Sequence, residues 1–171
     1  MMFYVLWVLI IVQRIVEIGV ARRNEQWMKD RGAYEVGREH YRWFIVVHSL
    51  FFLAILVEAP FASLQWSFSS QWLFVLFIMT QAFRIWCLAS LGKYWNTKII
   101  VMPGGERVVR GPYRFMKHPN YVIVAVEFVV IPLLFQAYWT ALLFPFLHLL
   151  LMYIRIPIEE QAIGNVYEER S

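Results

Sequence analysis

The densest set of groups able to do chemistry lies in residues 111–121, Gly-Pro-Tyr-Arg-Phe-Met-Lys-His-Pro-Asn-Tyr, between two long apolar runs. Pro119 suits the first turn of the helix that follows, where its missing N–H would be an orphan in any case. That places His118 at the helix N-terminus, where free backbone N–H groups and the helix dipole favour an anionic group. His118 and Tyr121 are three apart and share a face in a regular first turn. An imidazole, a phenol, amide donors and the cations Arg114 and Lys117 therefore meet at one membrane-edge helix start. The competing reading of the same residues is a basic interfacial loop closed by a proline.

The elements that must position this stretch are membrane helices. The chain of 171 residues is 60% hydrophobic and 18% aromatic, with a mean hydropathy of +0.53; soluble domains are about 45–50% apolar. A net charge of +4 does not point to nucleic acid, because the basic residues sit between apolar spans, as the positive-inside rule requires. The lone Cys87 excludes a disulfide framework, and His40, His48, His118 and His148 show no metal-ligand spacing, so no metal site is expected. The first apolar run lacks a basic leader and a small-residue cleavage site and reads as a retained span.

The expected fold is an all-α integral membrane protein, a single polytopic domain over residues 1–171. Five transmembrane helices are expected, over residues 3–21, 43–59, 71–91, 119–135 and 138–153. The last two form a hairpin around Gln136-Ala137, kinked by Pro132. A short C-terminal interfacial helix begins near Pro157, because a proline there disfavours a continuous helix through Arg155. Residues 22–42 read as a polar loop with a short interfacial helix at Glu35–Tyr41, and Gly104-Gly105 as the turn of a small hairpin. Ionisable residues inside spans must face protein. Arg14 and Glu17 are three apart and expected to pair, Arg84 needs Glu17, Glu58 or Glu127, and His48 reads as a packed core histidine.

Charge counting sets the expected topology. Six Lys/Arg follow the first span, six follow the third, and Arg155 and Arg170 lie in the tail; the other connections carry none. This predicts the N-terminus outside, and the C-terminus and active site, with His118, Arg155, Glu159 and Glu160, on the cytoplasmic side of the membrane. A charged cofactor would enter from water at the start of the fourth span and a lipophilic substrate from the bilayer. Residues 92–171 form the expected cofactor-binding and catalytic half.

Gly111-Pro112-Tyr113, then Lys117-His118-Pro119-Asn120-Tyr121, then Arg155 with Glu159-Glu160 after a helical hairpin, resembles the isoprenylcysteine carboxyl methyltransferase family. Gln13-Arg14 with Glu17, followed by Arg22-Arg23-Asn24, is similar to a short bacterial branch of it. Lys117 stands where the family usually has Arg, which keeps the charge and loses the bidentate fork. The tail after Glu160 is short and lacks the family's Leu, Phe-Gly and spaced tyrosines. The resemblance implies methyl transfer from S-adenosyl-L-methionine, held by His118 and Tyr121 with Gly111 and Tyr113 in the supporting loop and Lys117, Pro119 and Asn120 in the same stretch. It puts Arg155, Glu160 and Glu159 at the catalytic edge. The implied acceptor is a lipophilic carboxyl or enol hydroxyl, a small lipid-like molecule such as an alkylpyrone in preference to a prenylated protein. Membrane lipids are the other expected partner.

Three further readings fit parts of the sequence. Membrane sterol reductases, which use a reduced nicotinamide, resemble the family in its C-terminal half but are longer. Phospholipid N-methylation is a closer alternative. A non-enzymatic small transporter or subunit would use Arg14, Glu17, Arg84 and Glu127 as a polar path, but no internal repeat supports it.

Overall fold

The computed structural model describes residues 2–60, 64, 67–105 and 108–168, with backbone alone for residue 2 and residues 165–168. Arg107, Arg170 and residues 61–63, 65 and 66 of the connection between α2 and α3 lie outside the described residues. Five α-helices dominate: α1 Met2–Lys29, α2 Arg38–Glu58, α3 Phe68–Leu91, α4 Pro119–Leu134 and α5 Tyr138–Glu168. Four are long and apolar enough to cross a bilayer; α4 is shorter. Its 16 residues rise roughly 24 Å, less than a hydrocarbon core of about 30 Å. The chain is an all-α integral membrane protein.

Three local expectations are corrected. First, α1 runs on to Lys29, because 22–29 contains neither Gly nor Pro, and the helix stops where Gly32 turns at φ +85°. Second, Glu35 lies in a strand, β1 Tyr34–Val36, while Glu39, His40 and Tyr41 form the first turn of α2 behind Gly37. β1 pairs antiparallel with β2, Ile99–Val101, in the register Tyr34↔Val101 and Val36↔Ile99. Among the described residues, Ile99–Val101 therefore finds its partner across the bundle and not in a hairpin over Gly104-Gly105, although a tight turn does form there. Third, α5 passes through Pro145 and Pro157 without ending, so no separate interfacial helix begins at Pro157. An interior proline costs a helix about 3 kcal/mol. Packing offsets that here: Ile158 and Ala162 cover Val36, Ile99 and Val101 of the ribbon.

α4 and α5 pack as an antiparallel hairpin, α3 lies against α4, and α2 against α5. The reversal between α4 and α5 is as tight as expected: Gln136 takes a left-handed φ of +57°, and Ala137 N–H donates to Pro132 O at 2.8 Å. Phe51, Phe128 and Phe144 form the centre of the core, with ring centroids 4.5 Å apart for Phe51–Phe128 and 5.4 Å for Phe51–Phe144. Glu58, a candidate partner of Arg84, instead closes the far end. Its carboxylate accepts from the N–H groups of Trp139 and Thr140 at 2.6 and 2.8 Å and from Thr140 Oγ1 at 2.7 Å, where the start of α5 favours negative charge.

A charge network joins α1, α3 and α4 inside the membrane. Arg84 forks onto Glu17 through Nε and Nη2 at 2.8 and 2.6 Å and reaches Glu127 through Nη1 at 2.9 Å. Arg14 bridges the same carboxylates, 3.0 Å from Glu17 and 2.8 Å from Glu127. Gln13 donates to Glu17 Oε1 and Gln81 to Glu127 Oε1, oxygens that also accept from Arg84 and Arg14. Two guanidiniums and two carboxylates cancel, and all four are largely shielded from solvent.

Removing one partner strands the others. Arg84→Ala is expected to lower stability by roughly 3–5 kcal/mol, and Glu58→Ala by about 1 kcal/mol, as for loss of a helix cap. Thermal unfolding of detergent-purified protein checks both; equal effects would remove the distinction between a buried network and an edge cap.

Candidate active site

The C-terminal ends of α1, α3 and α5 and the N-terminal ends of α2 and α4 gather at one end of the bundle, where the ribbon closes over them. This is where the sequence motifs converge. Pro119 occupies the first turn of α4 with His118 as its N-cap residue, as expected. The rings of His118 and Tyr121 stack at 5.2 Å with planes 7° apart. Across from them, α5 brings its carboxylates to the start of α4. Glu160 lies 3.1 Å from Lys117 Nζ and 3.4 Å from His118 Nε2. Glu159 accepts from the Tyr121 hydroxyl and lies 3.8 Å from His118 Nδ1. The anionic position at this helix start is thus faced by the chain's own carboxylates.

Arg155 is a buried cation held on three sides. Its Nε donates to Tyr121 Oη at 2.8 Å and its Nη2 to the Thr97 carbonyl at 2.8 Å. Its guanidinium lies 4.7 Å from the centre of the Phe44 ring. Nη1 makes no hydrogen bond among the described residues, so two N–H donors remain available. The continuity of α5 through Pro157 matters here: Arg155, Glu159 and Ile163 share one helix face and reach one cavity.

That first cavity, of about 220 Å³, is lined by Lys98, Tyr113, Lys117, His118, Tyr121, Arg155 and Glu159, with Met28, Leu91 and Val101 as its apolar side. Burial pushes the Tyr113 phenol above its usual range, so it stays a neutral donor at physiological pH. Gly111 does not line the cavity. It holds φ at +57°, and a Cβ there would lie 2.0 Å from Ser90 Oγ and 2.9 Å from Ser90 Cβ, so the turn Gly111–Arg114 can seat on α3 only with glycine. Pro119 is buried beneath the site.

A second cavity, of about 310 Å³, runs into the membrane-spanning part. Ile11, Ile15 and Ile18 of α1 face Phe44, Ile45 and Phe52 of α2 across it, and Ile15 and Ile45 are largely exposed at its mouth. The exposure of these two lining residues opens the cavity to the bundle surface between α1 and α2. Asn120, expected beside the cofactor stretch, lines this second cavity. Asn96, Tyr121 and Arg155 line both cavities and form the wall between them.

Residues 72–165 match the model of the isoprenylcysteine carboxyl methyltransferase family. The chain belongs to this family. The uncharacterized protein YpbQ of Bacillus subtilis is 47% identical over 164 residues, covering 95% of this chain and 96% of that one. An uncharacterized protein of Haemophilus influenzae is 25% identical over 159 residues, 92% of each chain. No solved structure matches. The segment matched to the methyltransferase family includes every sequence-selected site residue, from Gly111 to Glu160. Of the residues that sequence reasoning missed, Asn96, Thr97 and Lys98 lie inside that segment and Phe44 lies outside it. Asn96, Thr97 and Lys98 looked like ordinary loop, and Phe44 like ordinary span; only the pairing of β1 with β2 folds the loop onto the site. Asn24, in the Arg-Arg-Asn that follows the expected first span, is part of this brace: its Nδ2 donates to the Gly92 and Trp95 carbonyls at 3.2 and 2.8 Å.

Lys98 ties the ribbon to α1, with Nζ 2.9 Å from Glu25 and 3.1 Å from Glu35. Burial alone would lower its pKa, but bonds to the two carboxylates outweigh this and raise it. A raised folded-state pKa means the stabilisation is complete below the ordinary value of 10.5 and fades as pH climbs through the higher folded value. Limited proteolysis of the 96–105 segment should therefore accelerate above pH 10.5 in wild type and be fast at neutral pH in Lys98→Met. Gly111→Ala should lose on the order of 1–3 kcal/mol from strain and clash, read as a lowered melting temperature; an unchanged melt would mean that the turn does not need the left-handed residue.

Proposed function

We propose that this methyltransferase-family protein transfers a methyl group from S-adenosylmethionine to an oxygen of a lipophilic acceptor at the membrane edge. The observation that carries the reading is the pair of adjoining cavities, the first lined by more polar and charged groups than the second, which share Asn96, Tyr121 and Arg155 as their wall. The first cavity suits a zwitterionic nucleoside. Glu159 complements an ammonium, Lys117 and His118 a carboxylate, and Tyr113 with the apolar side a planar base; Glu160 lies outside the cavity lining, paired with Lys117 and His118. The second suits a chain and head group arriving from the bilayer through the seam between α1 and α2.

When bound, S-adenosylmethionine supplies an electrophilic methyl group on a sulfonium centre. The protein's own work is alignment. Arg155 is fixed by Tyr121 and Thr97 in the wall that both cavities share, and its Nη1, without a hydrogen bond among the described residues, is left to orient an acceptor oxygen and offset its negative charge. Tyr121, bonded to Arg155 and Glu159 together, sets the spacing of the two sites. The apolar walls exclude water, which keeps the oxygen nucleophilic. Holding two reactants in attack geometry supplies up to about 7–11 kcal/mol of barrier reduction. The distribution of Lys and Arg supports a cytoplasmic site.

Calorimetric titration of detergent-purified protein with S-adenosylhomocysteine and, separately, NADPH tests the reading. S-adenosylhomocysteine alone should bind, with affinity lowered about tenfold or more in His118→Ala. Binding of NADPH alone would replace the methyltransferase reading with a reductase. Binding of neither by folded protein would leave a structural cap.

A further inference from the structure

The turn Gly111–Arg114, which carries Tyr113 to the first cavity, has a second side. It seats on α3 with Pro112 buried beneath it. Outward, the same stretch presents Val109, Phe115 and Met116, with Phe115 77% exposed. Arg110 and Arg114 stand exposed among them. Among the described residues neither guanidinium makes a hydrogen bond or an ion pair, whereas Lys117 beside them is paired with Glu160. No acidic residue lies between 108 and 118. Apolar side chains and unpaired cations side by side are poorly served by water alone. The boundary of a bilayer serves both, with acyl chains for the first and head-group anions for the second.

Two observations put the turn at that boundary. Trp86 of α3 lies against it, with Nε1 3.2 Å from where a Cβ on Gly111 would stand, and its side chain is half-exposed; tryptophan collects at membrane interfaces. At the far end of the bundle, exposed Tyr138 and Trp139 mark the opposite interface. From there α4 reaches back only about 24 Å, short of a hydrocarbon core of about 30 Å. The residues just before Pro119 therefore lie within the head-group layer and do not stand clear of it.

We infer that residues 109–117 form a binding surface for anionic phospholipid head groups, in which Arg110 and Arg114 take the lipid phosphate while Phe115 and Met116 enter the edge of the acyl layer. A guanidinium presents a planar fork that matches phosphate oxygens. A zwitterionic head group brings its own cation to compete with the arginines; an anionic one does not. The base of both arginines is preset, because the left-handed Gly111 and its close seat on α3 fix the turn. Tyr113 belongs to this turn and Lys117 and His118 follow it, so a lipid bound outside steadies the wall of the first cavity from behind. None of this depends on which molecule that cavity takes.

The test is amide hydrogen exchange of the full chain in nanodiscs of phosphatidylcholine alone and of phosphatidylcholine with phosphatidylglycerol. The N–H groups of Tyr113, Phe115 and Met116 close the turn onto the Arg110 and Pro112 carbonyls, so their exchange reports its opening. Phosphatidylglycerol should slow that exchange about fivefold for each arginine engaged, and high salt should weaken the effect. Arg110→Gln with Arg114→Gln should erase it, and the paired Arg→Lys variant should keep part. Arg22→Gln with Arg23→Gln, which removes exposed cations elsewhere on the chain, should leave it intact. Unchanged exchange in the core of α4 shows that each variant is folded; if the glutamine pair disturbs that core, the wild-type comparison and the lysine pair still decide. Equal exchange in the two membranes, or protection that survives the glutamine pair, would overturn the inference. So would equal loss in the Arg22 and Arg23 variant, which would reduce the effect to general surface charge. Equal protection by inorganic phosphate added to phosphatidylcholine nanodiscs would make this a site for a soluble anion and not for a lipid.

Discussion

Four charges inside a membrane can persist only as a closed set, and the fold depends on that closure. Arg14, Glu17, Arg84 and Glu127 come from three helices, and each arginine touches both carboxylates. Lipid offers no hydrophobic drive for helix association, because chains are as apolar as the side chains they meet. Directional charge-assisted bonds therefore specify which faces of α1, α3 and α4 meet. Once those are set, α4 can carry His118 and Tyr121 to the bundle end, and α5, packed on α4, can return with Arg155 and Glu159. The network is neutral overall, so its field falls off faster with distance than that of an unpaired charge.

That cluster is built from opposing helix ends. The start of α4 attracts anions, and α5 supplies Glu159 and Glu160 from its side, not from its terminus. This works because α5 is continuous through Pro157. A break there would swing both carboxylates away from His118 and would separate them from Arg155. The proline is accommodated because the tail of α5 roofs the ribbon, so a helix segment that propensity disfavours is retained by tertiary packing.

Much of this was legible in sequence. Span positions follow from hydropathy, the Arg14–Glu17 pair from spacing, and the start of α4 from Pro119. The grouping of His118, Tyr121, Arg155 and the two glutamates followed from the motif. What was not legible depended on long-range closure. Glu58 looked like a partner for Arg84, but choosing between three carboxylates needs the helix packing, which leaves Glu58 to the start of α5. The strand at Tyr34–Val36 is three residues long and means little until Ile99–Val101 is beside it. Pro157 read locally as a helix start, because local rules do not see the ribbon that α5 covers. Lys98 and Asn96 carried no signal of their own, since an isolated lysine or asparagine in a loop is ordinary.

The attachment of α1 has a consequence for traffic. It is held by charges at mid-depth and by Asn24 and Lys98 at one end, while its apolar side along α2 bounds an open seam. A chain-bearing molecule can present its head to Arg155 while its tail stays among the lipids. Drawing ten methylenes into water would require roughly 8 kcal/mol, a barrier that sideways entry never meets. Catalyst and solvent for such a molecule are then one continuous phase, and its supply is governed by diffusion in two dimensions.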